Sequence, residues 1–168
     1  RPALLLLDEP FANVDSERRL ELGRFLRELL RTEGASALLV THDQDAALRL
    51  GDQLAVIQPG PSGGRLAQVG APEQVYRQPR SLEVARLTGP CWDRDGDVVR
   101  PEDCRFEPGE GPDQVVAAAF VGRGWSLVVQ TAWGELSVDA PEEVSVGCRG
   151  RVGVQRCWTP GAQSQDQA

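Results

Sequence analysis

A chain of 168 residues suits one ordinary domain or two small ones and is long enough to bury a core. Its formal charge of −7 argues against a general attraction to nucleic acid or anionic lipid. The longest apolar runs fall far short of the ~18 residues of a membrane span, and no charged-then-apolar leader opens the sequence, which fits a soluble, cytosolic protein.

The charge is lopsided: up to Gly89 there are 11 Arg against 12 acids, and from Pro90 onward 7 Arg against 13, or −1 and −6. All 18 basic residues are Arg, and there is no Met. Cys91, Cys104, Cys148 and Cys157 show no C-x-x-C spacing and lie far from the single histidine, so buried free thiols are expected rather than a zinc site. A chain that opens on Arg1, with its first strand at Ala3, is expected to have lost its natural beginning.

The run Leu4-Leu5-Leu6-Leu7 enters two adjacent carboxylates, Asp8 and Glu9, with Pro10 following. Such a run is expected of a strand buried on both faces of a parallel sheet, whose C-terminal end is where ligands bind. Asp8 and Glu9 should point to opposite sides, and Pro10 should hold Glu9 extended. Phe11-Ala12-Asn13-Val14-Asp15 reads as a short loop, with Asp15 or Ser16 capping the next helix. Leu22, Phe25, Leu26, Leu29 and Leu30 give that helix an apolar face, and Gly34 ends it.

Ser36 to Thr41 reads as a second buried strand. Strand, helix and strand with short connections form a right-handed crossover with parallel, often adjacent strands. His42, leaving the second strand, should therefore emerge at the same sheet edge as Asp8 and Glu9, about 4.8 Å across. Asp43 can cap a short helix to Leu50. Leu54 to Ile57 and Arg65 to Val69 are paired strands around a turn-rich Pro59 to Gly64. Pro72 suits a helix start, and a further helical piece spans Leu82 to Leu87. Thr88-Gly89-Pro90 marks a domain boundary. Beyond it, Val98-Val99, Val115 to Val121, Trp125 to Trp133, Leu136 to Val138 and Arg151 to Val154 suggest a small antiparallel barrel or sandwich. The polar tail, 161–168, is expected to be disordered.

These residues resemble the C-terminal portion of an ATP-binding subunit of an ABC transporter, of the importer type with an appended TOBE domain. Leu4 to Pro10 resembles the Walker B motif, Ala12 to Asp15 the D-loop, and Val40-Thr41-His42-Asp43 the switch-histidine loop. Gly70 to Tyr76 resembles the close of the ATPase domain, and Val99 to Asp103 the opening of the TOBE domain. The implied fold is α/β: the C-terminal part of a P-loop NTPase parallel-sheet domain at 1–89, then a small all-β, OB-like barrel at 90–160.

The resemblance implies ATP and Mg²⁺ as cofactors. Asp8 would hold the magnesium through its water shell, Glu9 would act as general base or water-positioner, and His42 would donate to the γ-phosphate. Asp15 would couple two nucleotide sites across a homodimer. The implied partners are that second ATPase subunit, membrane permease subunits and, indirectly, a solute-binding protein, at the cytoplasmic face of the inner membrane. Nucleic acid is not among them. The phosphate-cradling G-x-x-x-x-G-K-[ST] loop and the signature Leu-Ser-Gly-Gly-Gln are absent, so the 168 residues alone are expected to be inactive. The Phe11 to Asp15 loop resembles that of ferric-iron importers; polyamine, sugar and oxyanion cargo stay open. Two other readings are an ABC ATPase of DNA repair and a non-enzymatic, anion-binding β module.

Overall fold

A computed structural model describes residues 4–61 and 63–161. The tail expected to be disordered, 161–168, lies outside them apart from Gly161, as does Ser62 in the turn-rich segment. The chain divides into two compact units. The first runs to Arg77 and includes Leu87–Gly89; the second comprises Gln78–Arg86 and the residues from Pro90 onward. No helix among the described residues is long and apolar enough to cross a membrane.

In the first unit, β1 (Leu4–Asp8) and β2 (Ser36–Val40) pair in parallel, from Leu4 opposite Ser36 to Asp8 opposite Val40. Between them lies α1 (Ser16–Glu33). Asp15 caps it by accepting the Arg18 N–H at 2.9 Å, and Gly34 closes it at φ +63°, a left-handed turn that glycine adopts without steric cost. Burial on both faces of the strands is not what the structure has. Leu5, Leu7, Ala37 and Leu39 are half-buried, whereas Leu6 is 71% exposed and Leu38 55% exposed, with Leu4 and Val40 beside them. A two-stranded sheet has two broad faces, and nothing among the described residues covers this one. Leu22, Phe25 and Leu29 of α1 are exposed in the same way.

The short helix α2 (Gln44–Leu50) follows β2 and is capped by Asp43. It approaches α1 at Gly23, where even a Cβ would stand 2.3 Å from a Leu50 methyl. The hairpin of β3 (Leu54–Gly60) and β4 (Gly63–Gly70) pairs as far as Gly60 opposite Gly63, so most of the expected turn-rich segment belongs to the ladder. The helix α3 (Pro72–Arg77) starts at its proline, and α4 (Leu82–Thr88) spans the point where the division falls.

The second unit holds a hairpin of β5 (Trp92–Arg94) and β6 (Asp97–Val99), and an antiparallel sheet of β7 (Cys104–Phe120), β8 (Trp125–Thr131), β9 (Gly134–Ala140) and β10 (Arg149–Val154). The sheet order is β10-β7-β8-β9, with β9 and β10 at its two edges. The ladder among the described residues is therefore open. The antiparallel all-β character expected of this region is present, whereas closure into an OB-like barrel is not seen among the described residues. Val99, Cys104, Val115, Leu127, Val129, Leu136, Val138 and Val152 form its core. The first half of β7 contains Pro108-Gly109, a turn signal in sequence, yet it pairs with β10. Gly111 and Gly150 permit this, since a Cβ at Gly111 would lie 1.9 Å from the Gly150 carbonyl oxygen.

Arg100 is buried, and its Nη1 donates at 3.0 Å to the carbonyls of both Ala85 and Pro90. Of the four cysteines only Cys104 is buried; Cys91 and Cys148 are half-buried and Cys157 is exposed, and all are free thiols. The expectation of buried thiols therefore holds for one of the four.

Candidate functional site

Because β1 and β2 are parallel and in register, both leave the sheet at one edge. The Glu9 N–H still donates to the Val40 carbonyl at 2.9 Å, which carries the ladder one residue past β1. Glu9 is not extended, however. Its φ is +45°, the left-handed region that side-chain-bearing residues seldom occupy. Pro10 disfavours the right-handed helical region for the residue before it, and the chain turns left-handed instead. The Glu9 carbonyl then accepts the Ala12 N–H at 3.1 Å, closing a turn around Pro10 and Phe11.

This turn delivers the Glu9 carboxylate to the segment after β2. Oε1 accepts the His42 backbone N–H at 2.8 Å and lies 2.7 Å from His42 Nδ1. Oε2 accepts the Thr41 hydroxyl at 2.9 Å. An ionised carboxylate can only accept, so Nδ1 carries the proton in that contact. The hydrogen bond from the His42 ring, which outweighs the opposing desolvation, and then those from Thr41 and the His42 backbone hold the Glu9 carboxyl below the usual carboxylate range. The His42 side chain is otherwise open to solvent, 87% exposed against 33% for Glu9.

Asp8 sits on the exposed face of β1 with Leu4 and Leu6, away from the side that carries the half-buried Leu5 and Leu7. Asp15 is the helix cap described above and forms an exposed ion pair with Arg18 at 3.6 Å. The structure thus brings Glu9 and His42 into contact, whereas Asp8 lies on the exposed face of β1 and Asp15 is engaged in capping α1. Among the described residues no group of three or more His, Cys, Asp or Glu side chains is arranged to hold a metal.

Two residues of this constellation were missed in sequence. Thr41 bonds Glu9 and also accepts the Asp43 N–H at 3.1 Å. Arg19 donates from Nη1 to Asp43 Oδ2 and from Nη2 to the Val14 carbonyl, the latter at 2.9 Å. The only signal was spacing, Arg19 lying one helical turn beyond Asp15.

No family model matches the chain. It is 40% identical over 148 residues to a sulfate/thiosulfate import ATP-binding protein of Nocardia farcinica, covering 88% of the chain and 43% of that relative. It is 35% identical over 191 residues to the sulfate/thiosulfate import ATP-binding protein of Brucella melitensis, covering 94% of the chain and 52% of the relative. A Fe(3+) ions import ATP-binding protein of Haemophilus influenzae is 41% identical over 88 residues, 52% of the chain and 24% of the relative. The chain is a homologue of ABC importer ATP-binding subunits. It spans about half the length of these subunits or less.

Proposed function

We propose that the chain supplies the hydrolytic edge of an ABC importer ATPase, an energy-coupling subunit that drives solute uptake through a membrane permease. The single observation that carries this is the Glu9 carboxylate, fixed by Thr41 and His42 at the common exit of two parallel strands. Open sheets bind ligands at that edge, and phosphoryl transfer needs an oriented water and positioned donors rather than covalent chemistry.

In this reading Glu9, ionised at neutral pH, orients the attacking water. Its lowered pKa suits a fixed acceptor better than a strong base. With Nδ1 donating to Glu9, His42 can donate from Nε2 to a phosphate oxygen only as the imidazolium. Asp8, exposed at the strand end, would hold Mg²⁺ through its water shell, as suits an ion bound by one or two carboxylates and phosphates rather than a protein cage. The metal would neutralise charge on the transferred phosphoryl group. Asp15 would couple two such sites in a homodimer. The second unit would be a TOBE-type appendage, and the assembly would lie peripherally on the cytoplasmic face of the inner membrane, served by a solute-binding protein.

The relatives matched over most of the chain are named for sulfate/thiosulfate, which favours an oxyanion cargo. Ferric iron is the second reading, favoured by the Phe11 to Asp15 loop and by the Haemophilus relative.

The test is an ATPase assay on the chain fused to the part of the Nocardia relative that the match does not reach. The fusion should hydrolyse ATP, and Glu9→Gln should lower kcat about 10²–10⁴-fold, the usual worth of a positioned acid-base group, while ATP is still bound. Unchanged turnover would overturn the reading. The 168 residues alone should release no phosphate.

A further inference from the structure

We infer that Arg19 is a positioning residue that ties the loop ending at Asp15 to the loop carrying His42, so that the Glu9–His42 contact depends on it. Nη2 holds the Val14 carbonyl and Nη1 holds Asp43 Oδ2. From Asp43 a hydrogen-bonded path continues to the site. The Asp43 N–H donates to Thr41 Oγ1 at 3.1 Å, and the Thr41 hydroxyl donates to Glu9 Oε2 at 2.9 Å. Arg19 of α1, Asp43 and Thr41 from the segment after β2, and Glu9 just past β1 are thus joined in one network, which passes through the Asp43 backbone.

The chemistry of Asp43 separates this task from helix formation. Oδ1 caps α2 through the Ala46 N–H at 2.9 Å, and Oδ2 is left to face Arg19. Removing Arg19 therefore spares the cap. The planar guanidinium suits two acceptors at a fixed angle, which an ammonium does not reproduce. Among the described residues its Nε is buried without a hydrogen-bond partner. A donor left unmade costs stability, so this geometry is better explained by where the two Nη groups must reach than by stability alone. The functional meaning rests on the proposed hydrolytic role of Glu9 and His42; the geometry does not.

The chain has one histidine, so its ring ¹⁵N resonances report His42 without ambiguity. Spectra of the ¹⁵N-labelled chain at fixed neutral pH would be compared for wild type, Arg19→Met, Arg19→Lys, Asp43→Asn and the double variant Arg19→Met with Asp43→Asn. In the wild type Nδ1 should carry the proton. In Arg19→Met and Asp43→Asn the ring should move toward the free-histidine tautomer mixture, and exchange of the His42 amide should rise about 10–100-fold, the effect of losing one charge-assisted hydrogen bond.

The Ala46 amide should keep its protection, since Asn also caps helices. Arg19→Lys should restore the ring signal partly. The double variant should differ little from either single one, because both break the same link. A wild-type ring signal in folded Arg19→Met and Asp43→Asn would overturn the inference, as would additive effects in the double variant. Neither result would bear on ATP hydrolysis, so this inference can fail while the proposed function stands.

Discussion

His42 meets Glu9 twice through one atom: Oε1 of Glu9 lies 2.7 Å from the ring Nδ1 and accepts the backbone N–H of the same histidine at 2.8 Å. With Thr41 on Oε2, both oxygens are held by donors from one dipeptide. All of them favour the charged carboxylate, which is why its pKa is lowered. A group depressed in the folded state contributes stability above its unfolded pKa, and that contribution is lost as pH falls through the folded pKa. The contact should therefore persist through the ordinary glutamate range, near about 4.3, and break only below it. An NMR titration of the Thr41 to Asp43 amides checks this. A break above the ordinary range would contradict it.

The φ of +45° at Glu9 makes a second expectation. For a residue with a Cβ the left-handed region costs roughly 1–2 kcal/mol, here accompanied by the hydrogen bonds of the carboxylate. Glu9→Ala keeps the strain and loses those bonds, whereas Glu9→Gly loses both. Glu9→Gly should therefore be the more stable variant by about 1 kcal/mol in urea unfolding. Glycine's greater freedom in the unfolded chain trims that margin by roughly 0.4–1 kcal/mol. A clearly more stable Glu9→Ala would show that the turn at Glu9 is not strained.

How far the sequence led is clearest at this same edge. That His42 should stand beside Glu9 follows from the handedness of the crossover and the length of α1, both set by local signals such as Asp15 and Gly34. The backbone of Glu9 did not follow, because a proline after it narrows the choices without selecting one. Thr41 and Arg19 were invisible for another reason: their roles exist only once Asp43, Val14 and Glu9 have been brought together from separate elements. In β7, Pro108 and Gly109 lie within the paired strand because Gly111 and Gly150 let two backbones pass closely, which no local signal reveals. The apolar runs of β1 and β2 do form paired strands, but a continuous run does not say what will cover each face, and Leu6 and Leu38 remain exposed.

That open face carries a third expectation. Leu4, Leu6, Leu38 and Val40 form a contiguous apolar surface on adjacent strands, and such patches promote association. The chain should bind an exposed-hydrophobe dye and self-associate. Leu6→Ser with Leu38→Ser should reduce dye fluorescence severalfold and shift sedimentation toward the monomer. The melting temperature should fall little, because side chains already 71% and 55% exposed bury little on folding. Unchanged dye binding in the double variant would place the apolar surface elsewhere, with Leu22, Phe25 and Leu29 of α1 next in line.

The thiols offer the last expectation, and it probes the second unit alone. Burial first, then the charges of Asp103 and Glu102, pushes the Cys104 thiol up to about 11. At pH 8 only about one molecule in a thousand would carry the thiolate there, and the side chain is inside the core beside Val99 and Val152. Cys157 is also raised, by burial and by its hydrogen bond to Asp97 at 3.4 Å, but it is exposed. An aromatic disulfide reagent should therefore modify Cys157 first and Cys104 last, and Cys104 should react only at the rate at which the sheet opens. Denaturant should then accelerate Cys104 in step with unfolding while leaving Cys157 nearly unchanged. Equal native-state rates at the two positions would mean that the core around β7 opens far more readily than its packing indicates.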